Sequence, residues 1–272
     1  MKSKGMNTGF KSKILATKLL SVENKSPVVK FVRPAARNYP NDGWDRYLFL
    51  EDKPAFYLGT VCETCYFIFR KVPGDISSTS AKKISARLNQ GLPTIDEEVL
   101  FAVSELLPTG DYVAFLIELL PVLVEPESED DYFNHDIYTD FGDDDYNSSH
   151  AEYYRTDTKV IDKSKSIFEF VAPMFDHETL NDPQVDAYRK SISQGHKPTA
   201  LAVSILDTKW VHDFDDYDDL VERPYCLVHF MLDGHHKMYA AALEQRSITL
   251  LSIVSKVESI WYEDNFDTLF QS

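Results

Sequence analysis

Apolar and polar positions alternate in two patterned stretches of the chain, with an acidic stretch between them. Phe56-Tyr57-Leu58 and Tyr66-Phe67-Ile68-Phe69 are short aromatic and β-branched runs of the kind that form strands, and the residues between them predict a hairpin. Ala81 to Gln90 has helical composition and stops at Gly91, a residue that ends helices by taking positive φ at no steric cost. Thr94-Ile95-Asp96-Glu97 has capping-box spacing, with Thr94 in the cap position, ahead of Val99, Leu100, Val103, Leu106 and Leu107 on one helical face. Tyr112 to Val124 then reads as one long strand, a pattern that a buried helix segment would share.

The second patterned stretch is easier to divide. Ile167 to Val171 predicts a strand, and Asp182-Pro183 opens a helix with Val185, Tyr188 and Ile192 on one face, ended by Gly195. Ala200 to Leu206 and Tyr225 to Leu232 predict two more strands. Asp233-Gly234 then turns the chain into a helix from His235 to Gln245, and Ile248 to Val254 is the last strand. The fold class expected from this order is α+β: an N-terminal mixed α/β region over residues 28–124 and a C-terminal mixed-sheet domain over residues 161–272. A basic segment, residues 1–27, precedes them, and an acidic linker or loop, residues 125–160, separates them.

Composition narrows the function classes. With 43% apolar and 13% aromatic residues the chain can bury real cores. Its 44 acidic residues against 28 Lys plus Arg leave a charge of -16, which repels phosphate backbones and anionic membranes, so neither nucleic acid nor membrane is an expected partner. Three cysteines are too few and odd in number for a disulfide scaffold, and they predict a reducing, cytoplasmic setting. The lysines at 2, 4, 11, 13 and 18 flank an apolar stretch broken by charge, which does not read as a signal peptide, and Val113 to Val124 is too short to span a bilayer. The acidic run from Glu125 to Asp157 lacks the alternating ligands and terminal glutamate of a calcium loop and reads as solvated, extended chain. The cluster Asp213 to Glu222 reads as an exposed loop.

Candidate chemistry concentrates at Leu232-Asp233-Gly234-His235-His236-Lys237-Met238-Tyr239-Ala240-Ala241. A glycine turn from a strand into a helix presents unpaired backbone N–H groups and the positive end of the helix dipole, and three side chains there can carry positive charge. Phosphate is the natural guest. The competing reading is an ordinary Asp-Gly turn with solvent-facing histidines; in either case first-turn side chains of this kind are expected to be exposed, so that replacing them spares folding.

Residues 166–257 resemble the ParB/sulfiredoxin superfamily, in which a turn of Asp-Gly-His-His-Arg or Gly-Cys-His-Arg type at a strand-to-helix junction cradles nucleotide phosphate. Asp182 to Ile192 is similar to the helix before the central strand, Pro198 to Val203 to that strand, and Ala240-Ala241 to the small residues of the motif helix. The resemblance implies a nucleotide/phosphate-binding protein, with ATP or another nucleotide and Mg as ligands and Gly234, His235, His236, Lys237 and Ser191 as contacts. His235 stands where sulfiredoxin has its catalytic cysteine, which excludes thiol repair chemistry there, and Lys237 replaces the usual arginine without its bidentate geometry. ParB proteins pair this fold with a basic helix-turn-helix, which this chain lacks. The turn is closer to that of the ADP-dependent serine kinases in the same superfamily. That likeness implies small-molecule phosphotransfer with a carboxylate base, for which Asp233, Glu169 and Glu178 are candidates, together with His236 as a catalytic residue. Glu169, on a predicted strand, has a competing reading as a solvent-facing side chain. The alternative to turnover is a non-catalytic module that senses a nucleotide or binds a protein partner.

Cys62-Glu63-Thr64-Cys65 has zinc-knuckle spacing, but a structural site needs four ligands. Cys226 and His229, three apart on a predicted strand, should face opposite ways and cannot supply the second pair. Cys62 and Cys65 read as a zinc site completed from elsewhere, with His135 and His150 as remote options, or as reduced cysteines in a hairpin; the lack of a thioredoxin-like strand-helix context after Cys65 speaks against a redox-active pair.

Overall fold

A computed structural model describes residues 12–33, 46–60, 67–74, 82–126, 128–133, 151–162, 165–208 and 223–259. The chain is α+β, as expected. Its first part gives β1 (Lys13–Val22), β2 (Val29–Val32), β3 (Arg46–Leu50), β4 (Lys53–Thr60), β5 (Phe67–Lys71), α1 (Lys82–Gln90), α2 (Glu97–Ser104), β6 (Gly110–Leu119) and β7 (Val122–Val124). The second part gives β8 (Tyr153–Asp162), β9 (Lys165–Ala172), a 3-10 turn at His177–Thr179, α3 (Asp182–Ser193), β10 (Thr199–Thr208), β11 (Arg223–Asp233), α4 (His235–Glu244) and β12 (Ile248–Ser255).

Two local expectations need correction. The cap of α2 is Asp96, not Thr94: Asp96 is the extended residue immediately before the helix, and its Oδ1 accepts from the amides of Glu98 and Val99 at 2.9 and 3.4 Å. The apolar run from Tyr112 to Val124 is two strands, because Pro121 has no N–H to continue a ladder. The hairpin of β4 and β5 forms with Leu58 opposite Phe69, and Gly91 and Gly195 end their helices at φ +82° and +93°.

The strands assemble into an eight-stranded sheet of order β1-β6-β12-β10-β11-β9-β8-β7 and a four-stranded antiparallel sheet of order β2-β3-β4-β5. The larger sheet draws β1, β6 and β7 from the first half of the chain and β8 to β12 from the second, so residues 125–160 do not separate two sheets. Within that acidic region Phe133 is fully buried against Phe69, Tyr153 and Phe170, and β8 pairs with β9. Its described ends are therefore packed, because aromatic residues interrupt the acids and find a core.

The larger sheet must curl. Flat, β6 and β7 would lie about 29 Å apart at about 4.8 Å per strand, yet only Leu120 and Pro121 join them, a reach of about 11 Å at most. Ser12, just before β1, donates to Glu169 on β9 at 2.5 Å although the sheet order separates the two strands by four others. The concave face carries Val113, Phe115 and Ile117 of β6, Ala202 and Leu206 of β10, Leu227 and Met231 of β11, and Tyr154 of β8, and it packs on Val185 and Ile192 of α3 and Met238, Ala240 and Ala241 of α4. The opposite face, with Leu116, Val203, Phe230, Phe168 and Phe170, packs on the four-stranded sheet and on α1 and α2. A buried ion pair at 2.8 Å, Arg46 on β3 to Asp207 on β10, bridges the two sheets.

Candidate functional site

The expected strand–glycine–helix junction is formed by β11, Gly234 and α4. Gly234 has φ +101°, and a Cβ there would meet the Cβ and Cα of Ala200 at 2.8 and 2.9 Å, so conformation and close packing on β10 both demand glycine. The first amide inside the helix ladder is that of Met238, which donates to the Gly234 carbonyl at 2.8 Å, so the amides of His235, His236 and Lys237 lie ahead of the ladder.

The side chains of that first turn are not the exposed cations that the sequence suggested. Residues 173–181, between β9 and α3, run across the helix start as a strap. His235 is 5% exposed; its Nε2 accepts from the Met174 amide at 3.0 Å and Phe175 packs edge-on against its ring. Burial, with the positive charges of Lys71 and Lys237 and the neighbouring His236 adding to it, pushes its pKa down to about 3. His236 accepts through Nε2 from the Asn181 amide at 3.1 Å, and partial burial lowers its pKa against the pull of Asp233. A ring nitrogen that accepts from an amide carries no proton, so both rings are neutral with the proton on Nδ1. Lys237, 2% exposed, donates to Asp233 Oδ2 at 2.9 Å and to the Thr199 carbonyl at 3.0 Å. Its burial lowers its pKa, while Asp233 opposes the shift.

Gly234, His235, His236, Lys237 and Asp233 are thus brought together, and the remaining candidates lie apart from them. α3 and α4 run side by side in the same direction, since Asn181 meets His236 at their starts and Arg189 meets Glu244 near their ends. Ser191 is on the last turn of α3, about 15 Å along the helix from Asn181. Glu169 pairs in register with Leu227, six positions before Asp233 on β11 and so about 20 Å away along the strand. It does not point to solvent: it is fully buried on the concave face. Glu178 is exposed on the strap.

Two histidine–glutamate pairs escaped the sequence reading. In the first, His229 Nε2 lies 3.2 Å from Glu169 Oε1, while its Nδ1 lies 2.8 Å from Ser204 Oγ and 3.0 Å from Ser252 Oγ. Ser–His–Glu is the composition of a hydrolytic triad, but all four side chains are fully buried. Both serines sit on central strands whose amides belong to the sheet ladder, so those strands offer no free amide to an oxyanion. The arrangement is a polar core, each hydrogen-bonding group answering another.

The second pair is on the strap. Glu152, just before β8, accepts from the His177 amide and from His177 Nδ1, both at 2.7 Å, and the His177 ring lies 5.2 Å from that of Tyr239 on α4. Nδ1 donates to the carboxylate, so the neutral ring keeps its lone pair on Nε2, which has no partner among the described residues. The only sequence signal was the unremarkable string Phe175-Asp176-His177-Glu178.

Cys62 and Cys65 fall outside the described residues. Cys226 is buried on the convex face, opposite to His229, as strand parity required. Among the described residues no three His, Cys, Asp or Glu side chains gather as a metal site, and no helix is long and apolar enough to cross a membrane. Compared with protein-family models, curated proteins and solved structures, the chain matches none of them.

Proposed function

We propose that this chain binds a phosphate-bearing ligand, a nucleotide, at the start of α4. The observation that carries the reading is the junction itself: β11 runs directly into Gly234 and α4, and the amides of His235, His236 and Lys237 lie ahead of the helix ladder at the positive end of its dipole. His236, half-buried, adds a neutral Nδ1–H donor on the same first turn. The resemblance of residues 166–257 to the ParB/sulfiredoxin superfamily supports the same assignment and adds Mg with ATP or another nucleotide. A cytoplasmic setting, with neither nucleic acid nor membrane as partner, agrees with the charge of -16 and the unpaired cysteine count.

One observation favours a second reading, a non-catalytic nucleotide-sensing or protein-interaction module. His235, His236 and Lys237 all spend side-chain bonds inside the protein, so the site is rigid and weakly cationic. Calorimetric titration of ATP, ADP, CTP and inorganic phosphate tests the binding reading. Binding of one nucleotide, weakened roughly ten- to a hundredfold in His236→Ala, is the expected result. Absence of heat with all four ligands leaves the interaction module in front.

A further inference from the structure

We propose that His177, oriented by Glu152, is the proton acceptor of the site at the start of α4, and that the acceptor substrate is a small molecule bearing a hydroxyl group. The proposal rests on the nucleotide reading above and takes it to phosphotransfer. Four features of the pair support it. Glu152, 8% exposed, grips His177 through backbone and Nδ1 together, which fixes both the ring orientation and its tautomer. The lone pair therefore rests on Nε2, and the ring is 20% exposed rather than sealed. His177 lies on the strap between its two points of attachment to α4, Met174 on His235 and Asn181 on His236, and its ring packs against Tyr239 one turn into that helix. Finally, the other described histidines near the helix have no lone pair to offer: those of His235 and His236 are engaged by amides.

In the step assigned to it, the acceptor hydroxyl gives its proton to His177 Nε2 while its oxygen bonds to the terminal phosphorus of a nucleoside triphosphate. The bond from that phosphorus to the bridging oxygen breaks, and the nucleoside diphosphate leaves with the electron pair. The imidazolium, steadied by the Glu152 carboxylate, returns its proton to solvent. Glu152 is a positioning residue, since it acts only through His177.

Two measurements test the pair, one of them independent of any nucleotide. Diethyl pyrocarbonate acylates imidazole at a free nitrogen lone pair, so peptide mapping should find His177 modified faster than His235, His236 and His229, and Glu152→Gln should slow that modification. An unreactive His177 overturns the proposal whether or not a nucleotide binds. The second measurement is phosphate transfer from Mg-ATP with glycerol, glucose or water as acceptor, in wild type, His177→Gln and Glu152→Gln, with melting followed in parallel. The expected result is a loss of kcat of about a hundredfold or more in His177→Gln and a smaller loss in Glu152→Gln, with KM for ATP and the calorimetric affinity unchanged. If ATP binds and no phosphate moves, or moves equally fast in His177→Gln, the proton-acceptor role falls and the nucleotide site stands. If no nucleotide binds, the nucleotide reading and this transfer step fall together, and the acylation result then says only whether His177 carries a free lone pair.

Discussion

The two histidine–glutamate pairs use the same chemistry in opposite settings. His229 and Glu169 face each other across neighbouring strands on the concave face of the curled sheet, and both are sealed from solvent. His177 and Glu152 meet where the strap crosses the start of β8, and the His177 side chain stays 20% exposed. In the interior pair every polar atom of the ring is answered, by Glu169 on one side and by Ser204 and Ser252 on the other. In the strap pair only Nδ1 is answered among the described residues. A histidine–carboxylate pair is therefore no sign of catalysis in itself: what separates a structural pair from a reactive one is a nitrogen with room in front of it. Position also decides the energetic role, since removing one member of a sealed pair strands its partner in a low-dielectric interior, whereas His177 at the strap is 20% exposed and can exchange its bond for one to water.

The largest effect should come from Glu169→Ala, which leaves the buried His229 Nε2–H and the Ser12 hydroxyl without their acceptor; urea denaturation should register a loss of about 3–5 kcal/mol. A loss under about 1 kcal/mol would mean that the interior pair is not the fixed polar core described above. Next in size is a pH effect at His235. Its pKa of about 3 in the folded protein lies below the unfolded value, so the unfolded chain binds a proton that the folded one refuses. Its contribution is complete above pH of about 6.5 and is lost as pH falls toward 3, at up to about 1.4 kcal/mol per pH unit. The stability difference between wild type and His235→Gln should shrink over that window; a difference independent of pH would show that His235 is not held neutral.

Lys237→Ala should cost about 1–3 kcal/mol of stability, because it leaves Asp233 and the Thr199 carbonyl without their donor. This reverses the expectation of an exposed, dispensable first-turn lysine, and thermal melting decides between the two. The smallest effect belongs to His177→Gln, which should change stability by less than about 1 kcal/mol because the side chain replaced is 20% exposed and a glutamine amide can still donate to Glu152. A larger loss would place the strap pair beside the interior one and erase the contrast.

The lines of the fold that local chemistry controls were legible beforehand. Short apolar runs announced β9, β10, β11 and β12, Pro183 announced the start of α3, Gly195 announced its end, and Asp233-Gly234 marked the turn into α4. β1 was not legible, since its apolar residues are half-exposed on a sheet edge and Lys18 breaks the run, and β8 was hidden in acidic sequence. What needed long-range contact was not written locally at all. The curl of the sheet joins Ser12 to Glu169 across 157 positions of sequence, and Asn181 reaches His236 across 55. Residue type alone cannot say whether a histidine is a cation, an acceptor or a proton shuttle, because that depends on which amide or carboxylate the fold brings to each ring nitrogen and on how much water remains beside it. The strand–glycine–helix junction is thus written in local residue types, whereas long-range packing makes His235 and His236 neutral acceptors there, spends Lys237 on Asp233, and leaves His177 with a ring nitrogen that no described residue answers.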